Sequence, residues 1–281
     1  MTSMEIELAD ERLVLLEEQL TPAEVLQKAM DRRTGAFTGG FGSLLQRPKA
    51  EEINVVSRQR RLLPFWHVAA KGVYIYERTR DYTVPGSSPE VTAVTIDSQR
   101  RELDRTVDGH KAFRLTATEH CSNELRHETF VDGVSGDTFA DGADLISGPR
   151  SEISDPQALS AEDTIVVPPE QRASFVVRRA LNEVMKPVQA DKILEEAIIL
   201  EKADLYYRPI WAFEFGWRDK RGVVEVDSIT GQVTAGKPML GQIKGMINRD
   251  VLFDVGGDTL GLFIPGGSIA VRLAQAAIDK K

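Results

Sequence analysis

The sequence predicts an α+β protein: two related antiparallel sheet-plus-helix modules, with an N-terminal helical segment and a C-terminal helix. Three observations carry that expectation. A Pro-Φ-Trp element (Φ, apolar) followed later by Val-Asp-x-Φ-(Ser/Thr)-Gly occurs twice. Strand-like alternation dominates residues 62–139 and 198–234. Phe175, Val176, Ala180, Leu181 and Val184 give the run from Pro169 to Met185 the apolar stripe of a helix, stopped by Lys186-Pro187.

Taken in order, the first 33 residues read as helical. Leu8, Leu13, Leu15, Leu16 and Leu20 stand among Glu5, Glu7, Glu11, Glu17 and Glu18. A second helix starts at Thr21-Pro22-Ala23-Glu24, where Thr21 and Glu24 form a capping box and Pro22 suits the first helical position. Residues 35–42 form a Gly-rich segment. It lacks the Gly-Lys-Ser/Thr ending of a phosphate loop, and Phe37 and Phe41 are expected to dock on the body. Ser268 after Pro265-Gly266-Gly267 predicts a last helix over 268–278. The expected organisation is residues 1–50 helices and linker, 51–146 first module, 147–168 linker, 169–237 second module and 238–281 C-terminal segment.

The repeat has a physical reading. Copy one carries Pro64-Phe65-Trp66 and Val131-Asp132-Gly133-Val134-Ser135-Gly136. Copy two carries Pro209-Ile210-Trp211 and Val226-Asp227-Ser228-Ile229-Thr230-Gly231. Asp132 and Asp227 are expected to accept bonds from backbone amides two and three residues on, and Gly136 and Gly231 to supply the positive φ that closes each hairpin. Proline suits a strand start. Trp211, Phe213, Phe215 and Trp217 alternate on one strand face, where Phe213 and Trp211 read as core. Copy one is stretched: 67 residues separate Pro64 from Val131, against 17 between Pro209 and Val226. The extra residues, between Lys71 and Arg126, hold Tyr74, Tyr76 and Tyr82 in strand-like alternation and are expected to extend the first sheet.

Residues 169–233, with the closing Val-Asp-x-x-Thr-Gly-x-Val, resemble a PepSY-like module, and residues 51–139 do so more loosely. The resemblance implies a small sheet-and-helix unit, generally non-catalytic and associated with inhibition or regulation of partners, peptidases among them.

Composition narrows the function classes. A net charge of −8 disfavours a nucleic-acid partner. The single cysteine, Cys121, allows no intrachain disulfide. The longest uncharged apolar-rich run, Thr259 to Val271, is 13 residues, shorter than the about 20 of a membrane helix, and the start is not signal-like; the reading is cytoplasmic.

All four histidines and Cys121 lie between His67 and His127. His120, Cys121 and His127 are the residues a metal site would use, but their spacing matches no familiar ligand motif. On a continuous strand His120 and His127 lie roughly 23 Å apart. Asp132, Asp137, Asp141 and Asp144 lack calcium-loop spacing. The expectation is therefore a non-enzymatic binding, scaffold or regulatory protein without a cofactor. Its partner is another protein or a peptide, met through Trp66, Tyr74, Tyr76, Trp211, Phe215 and Trp217 or by strand addition. No residue is assigned a catalytic role. The alternative is a metal-dependent enzyme or sensor built on the His/Cys cluster.

Overall fold

The computed structural model describes residues 4–37, 48–107, 109–159, 164–236 and 269–273 of the 281-residue chain. Its strands are β1 (Met4–Leu8), β2 (Glu11–Leu16), β3 (Asn54–Pro85), β4 (Ala93–Ile96), β5 (Gln99–Glu102), β6 (Arg105–Val107), β7 (His110–Asp132), β8 (Arg150–Glu152), β9 (Thr164–Val166), β10 (Lys192–Trp217), β11 (Lys220–Asp227), β12 (Val233–Ala235) and β13 (Ile269–Leu273). The α-helices are α1 (Pro22–Asp31), α2 (Gly142–Ile146) and α3 (Ala173–Val184). Among the described residues, eleven strands form one mixed sheet with the central path β12-β11-β10-β3-β7-β6; β4 and β5 pair separately. The protein is therefore mostly β, which corrects the expected α+β pair of modules. The physical reason is long-range pairing: β3 and β10, expected to centre separate modules, bond to each other from Lys192↔Glu77 to Gly216↔Asn54.

Both expected terminal helices are corrected too. Residues 4–8 and 11–16 are strands that pair parallel with β10. The Glu5-Ile6-Glu7-Leu8 alternation has the period of a strand, and a neighbouring strand edge decides in its favour. Residues 269–273 are a strand parallel to β1, from Met4↔Ile269 to Leu8↔Leu273. The rest of the expected C-terminal helix, Ser268 and 274–278, lies outside the described residues, as do residues 38–42 of the Gly-rich segment. Within that segment Phe37 meets Trp217 edge-on, with ring centroids 6.0 Å apart. The α1 start follows local chemistry: Thr21 N donates to Glu24 Oε2 at 2.8 Å and Glu24 N to Thr21 Oγ1 at 3.3 Å. Residues 147–168, expected as linker, contribute β8 and β9 to the sheet.

The two copies of the repeat are equivalent in register within this one sheet. Phe65 pairs with Asp132 and Trp66 with Val131; Ile210 pairs with Asp227 and Trp211 with Val226. Leu62 pairs with Val166 of β9 as Tyr207 pairs with Leu15 of β2. Even the irregularities correspond. Val56 is skipped opposite Glu214 and Phe215, and Glu201, its counterpart, is skipped opposite Ala69 and Ala70.

The helices correspond as well, but each comes from the other end of the chain. Glu170 N and Gln171 N, ahead of α3, both donate to Gly133 O (2.8 and 2.9 Å). Gln19 N and Leu20 N, ahead of α1, both donate to Ser228 O (2.9 Å). So α3 closes the β3–β7 hairpin, and the N-terminal α1 closes the β10–β11 hairpin. Both helices lie on the sheet face that carries Trp66 and Trp211. There α3 buries Val176, Val177, Ala180, Leu181 and Val184 with Trp66, Val68, Ala70 and Leu205. Likewise α1 buries Val25 and Ala29 with Phe213, Phe215, Trp217, Val224 and Val226. Each valine or leucine among them contributes about 1.5–3 kcal/mol when fully buried. Gly72 admits α3 closely: a Cβ there would sit 2.7 Å from Val184 O. On the opposite face Phe65, Tyr206, Val14, Leu16 and Leu145 form a smaller core with Phe130 and Phe139.

Beyond the end of β10, the β3–β7 ribbon continues from Arg78↔Glu119 to Pro85↔Ala112. This is the sheet extension expected from the stretched copy. The β4–β5 hairpin and β6 lie in the 86–109 connection at its tip, near the buried Leu103, Ala112 and Phe113.

Candidate functional site

The two aspartate turns are built alike. Asp132 Oδ1 accepts from Val134 N and Ser135 N (both 2.9 Å); Asp227 Oδ1 accepts from Ile229 N (2.8 Å) and Thr230 N (3.0 Å). Gly136 N and Gly231 N close back onto the aspartate carbonyls at 2.9 and 2.8 Å, with φ of 80° and 73°. These residues hold the hairpins and offer no open ligand surface. Asp227 is also buried and is paired with Arg208 at 3.3 Å.

The aromatic residues expected to bind a partner are placed differently. Trp66, Tyr74, Phe215 and Trp217 are buried. Trp66 Nε1 donates to Gln171 O (2.8 Å), Tyr74 OH to Val184 O (2.6 Å) and Trp217 Nε1 to Glu52 Oε2 (2.8 Å). Burial pushes the Tyr74 hydroxyl pKa up. Tyr76 and Trp211 are half-buried; Trp211 Nε1 reaches Glu18 Oε2 at 3.3 Å, with the Arg58 guanidinium 6.0 Å from its ring centre. Alternation reveals which residues share a face, but it cannot say whether a helix covers that face.

The His/Cys cluster lies on one uninterrupted strand, β7. His120 is exposed and its Nδ1 lies 3.2 Å from Glu77 Oε1. Cys121 and His127 are half-buried, opposite Tyr76 and Ala70. Adjacent strand residues point to opposite faces, so His120 is separated from both Cys121 and His127 by the sheet. Among the described residues no group of three or more His, Cys, Asp or Glu side chains converges as a metal site.

A feature that sequence reasoning missed lies on the face opposite α1 and α3. His67 is buried, stacked on Phe130 with centroids 4.4 Å apart, and its Nε2 lies 2.6 Å from Glu128 Oε1. Among the described residues its Nδ1 has no hydrogen-bond partner. Loss of water is the main cause lowering its pKa below the ordinary histidine value; the Glu128 contact opposes this. Asp204, directly across from His67, is buried and receives a bidentate pair from Arg12 at 2.9 and 2.5 Å. Arg61 is buried against Glu225 at 2.6 Å. These partners are far apart in sequence, so no local motif marks them.

Among the described residues, β7 presents a long strand edge without a partner strand. β7 bonds on one side to β3 along its length. On its other side, among the described residues, only the pairing of β6 with His110, Lys111 and Ala112 and a bridge from Val131 to Thr138 are present. Asp132 N donates away from β3 to Asp137 O, and Phe130 O accepts from Phe139 N, both at 2.8 Å. Register is unbroken from Asp132 to Ala112, and alternate residues of a strand direct their peptide groups the same way. The even-numbered residues Arg114 to Glu128 therefore present N–H and C=O groups to the open side. Their side chains are all exposed: Arg114, Thr116, Thr118, His120, Ser122, Glu124, Arg126 and Glu128. Charged edges of this kind resist indiscriminate pairing and favour a strand of complementary charge.

No helix among the described residues is long and apolar enough to cross a membrane. No family model matches the chain, and no match is found among curated proteins or solved structures.

Proposed function

We propose that the chain is a non-enzymatic binding, scaffold or regulatory protein that takes an extended segment of a protein partner along the β7 edge. The observation that carries this reading is the open row of peptide groups from Arg114 to Glu128. Strand addition there supplies main-chain hydrogen bonds for affinity, and alternating side chains supply selectivity. Behind the His120–Glu128 half of this edge stands a third strand, because β3 is itself bonded to β10 as far as Glu77. The buried charges on the same face are committed to structural pairs, Arg12 with Asp204 and Arg61 with Glu225. The PepSY-like resemblance of residues 169–233 supports the same class of role, a regulator acting by contact.

The test is selection of peptides from a random display library on the full chain, followed by amide hydrogen exchange with and without a selected peptide. Protection confined to residues 114–128 is expected, together with loss of binding in Thr118→Pro. Protection elsewhere, or binding indifferent to that proline, would sink the reading.

A further inference from the structure

We infer that the strand received by the β7 edge is β7 of a second copy of this chain, running antiparallel about a two-fold axis at Cys121. This rests on the β7 edge being a strand-addition site, as proposed above. The open segment, Arg114 to Glu128, has Cys121 at its midpoint, so this one register pairs the whole segment with itself. Arg114 then faces Glu128 of the second copy, and the symmetry repeats that opposite-charge pair at the other end. Thr116 faces Arg126, Thr118 faces Glu124 and His120 faces Ser122, so no like charges stand opposite. Moving the axis to His120 sets Arg114 against Arg126, and moving it to Glu124 sets that carboxylate against its own copy. An axis at residue 119 leaves Arg126 and Glu128 without a counterpart.

The other face agrees with this register. Leu115, Ala117, Cys121 and Leu125 are half-buried within one chain. In the pair, Ala117 meets Leu125 of the second copy on either side of the axis, which covers the apolar surface that these residues leave open. Each outward-facing pair exchanges two hydrogen bonds, about sixteen along the segment. The product is one sheet continuous through two chains.

The experiment is sedimentation of the full chain over a dilution series, with a short bifunctional maleimide added in parallel. Cys121 is the only cysteine, so any thiol cross-link between two copies reports its position directly. A dimer that cross-links through Cys121 is expected. Thr118→Pro should abolish it with unchanged circular dichroism, because that N–H points to the open side and β3 does not need it. Arg114→Glu, which sets like charges at both ends, should weaken the dimer about tenfold. A dimer that forms no Cys121 cross-link and ignores Thr118→Pro overturns the inference. A monomer whose β7 amides are protected by selected peptides overturns self-pairing alone; a monomer without such peptides overturns the edge-binding reading as well.

Discussion

Leu63 and Arg208 pair directly across β3 and β10, and each is the other's counterpart in the internal repeat, immediately before the proline of Pro-Φ-Trp. Only residues on a two-fold axis have both properties. The axis relating the two halves of the sheet therefore passes between them. It accounts for the matched bulges at Val56 and Glu201 and for the placing of α1 and α3 on the same face. Equivalent positions can thus be compared directly, and their different surroundings predict different costs on mutation.

Trp66 and Trp211 are one such pair. Trp66 is fully buried under α3, whereas Trp211 is half-buried beside Glu18 and Arg58. Trp66→Ala should cost about 3–5 kcal/mol in chemical denaturation, the usual range for a buried large aromatic. Trp211→Ala should cost roughly half as much, since it withdraws less area from water on folding. Equal losses would contradict the burial difference.

The turn aspartates should also rank. Asp132→Ala removes an acceptor for two amides at a partly exposed turn and should cost about 1–2 kcal/mol. Asp227→Ala removes the same two bonds from a buried turn and leaves Arg208 without its carboxylate, for about 3 kcal/mol. Urea denaturation of the two variants gives the order.

Tyr207 lies wholly within the core beside α3, its hydroxyl without a partner among the described residues. Burial pushes the ionisation of that hydroxyl well above the ordinary tyrosine value. Tyr207→Phe keeps the ring and removes the buried polar atom, so it should stabilise the protein by about 1 kcal/mol. A loss of stability would mean that the hydroxyl is satisfied in solution.

His67 sets a pH dependence. Its pKa in the folded chain is lowered, so the unfolded chain takes up the proton first as pH falls. The stability it contributes is full above its ordinary value near 6.5 and declines as pH drops from there toward the lowered folded value. Glu119, Glu124 and Asp191 have lowered pKa values and act in a separate, more acidic window, below the ordinary carboxylate range. His67→Phe should flatten the upper slope and leave the acid limb in place, as read by denaturation midpoints across the pH range. An unchanged upper slope would assign it to another group.

What the sequence determined by itself is local. The Asp132 and Asp227 turns, the Thr21–Glu24 cap and the apolar stripe of α3 each close their hydrogen bonds or their period within one short stretch of chain. A few adjacent residue types suffice to specify them. The two Pro-Φ-Trp elements were legible for the same reason, and the extension of the first hairpin showed as strand alternation on its two arms. Tertiary structure decided everything that depends on a distant partner. Residues 4–16 carry leucines and glutamates compatible with either period, and the edge of β10 some 190 residues away makes them strands. The aromatic faces were visible as alternation, but whether they were binding surfaces or core depended on which helix came to lie over them. The His67–Glu128 and Arg12–Asp204 pairs join strands with no shared motif, and the edge of β7 is open because, among the described residues, no strand pairs with it opposite β3 along residues 114–128. Strand backbones bond to neighbours rather than to themselves, so a sheet's order, and with it the surface left for a partner, is a property of the whole chain.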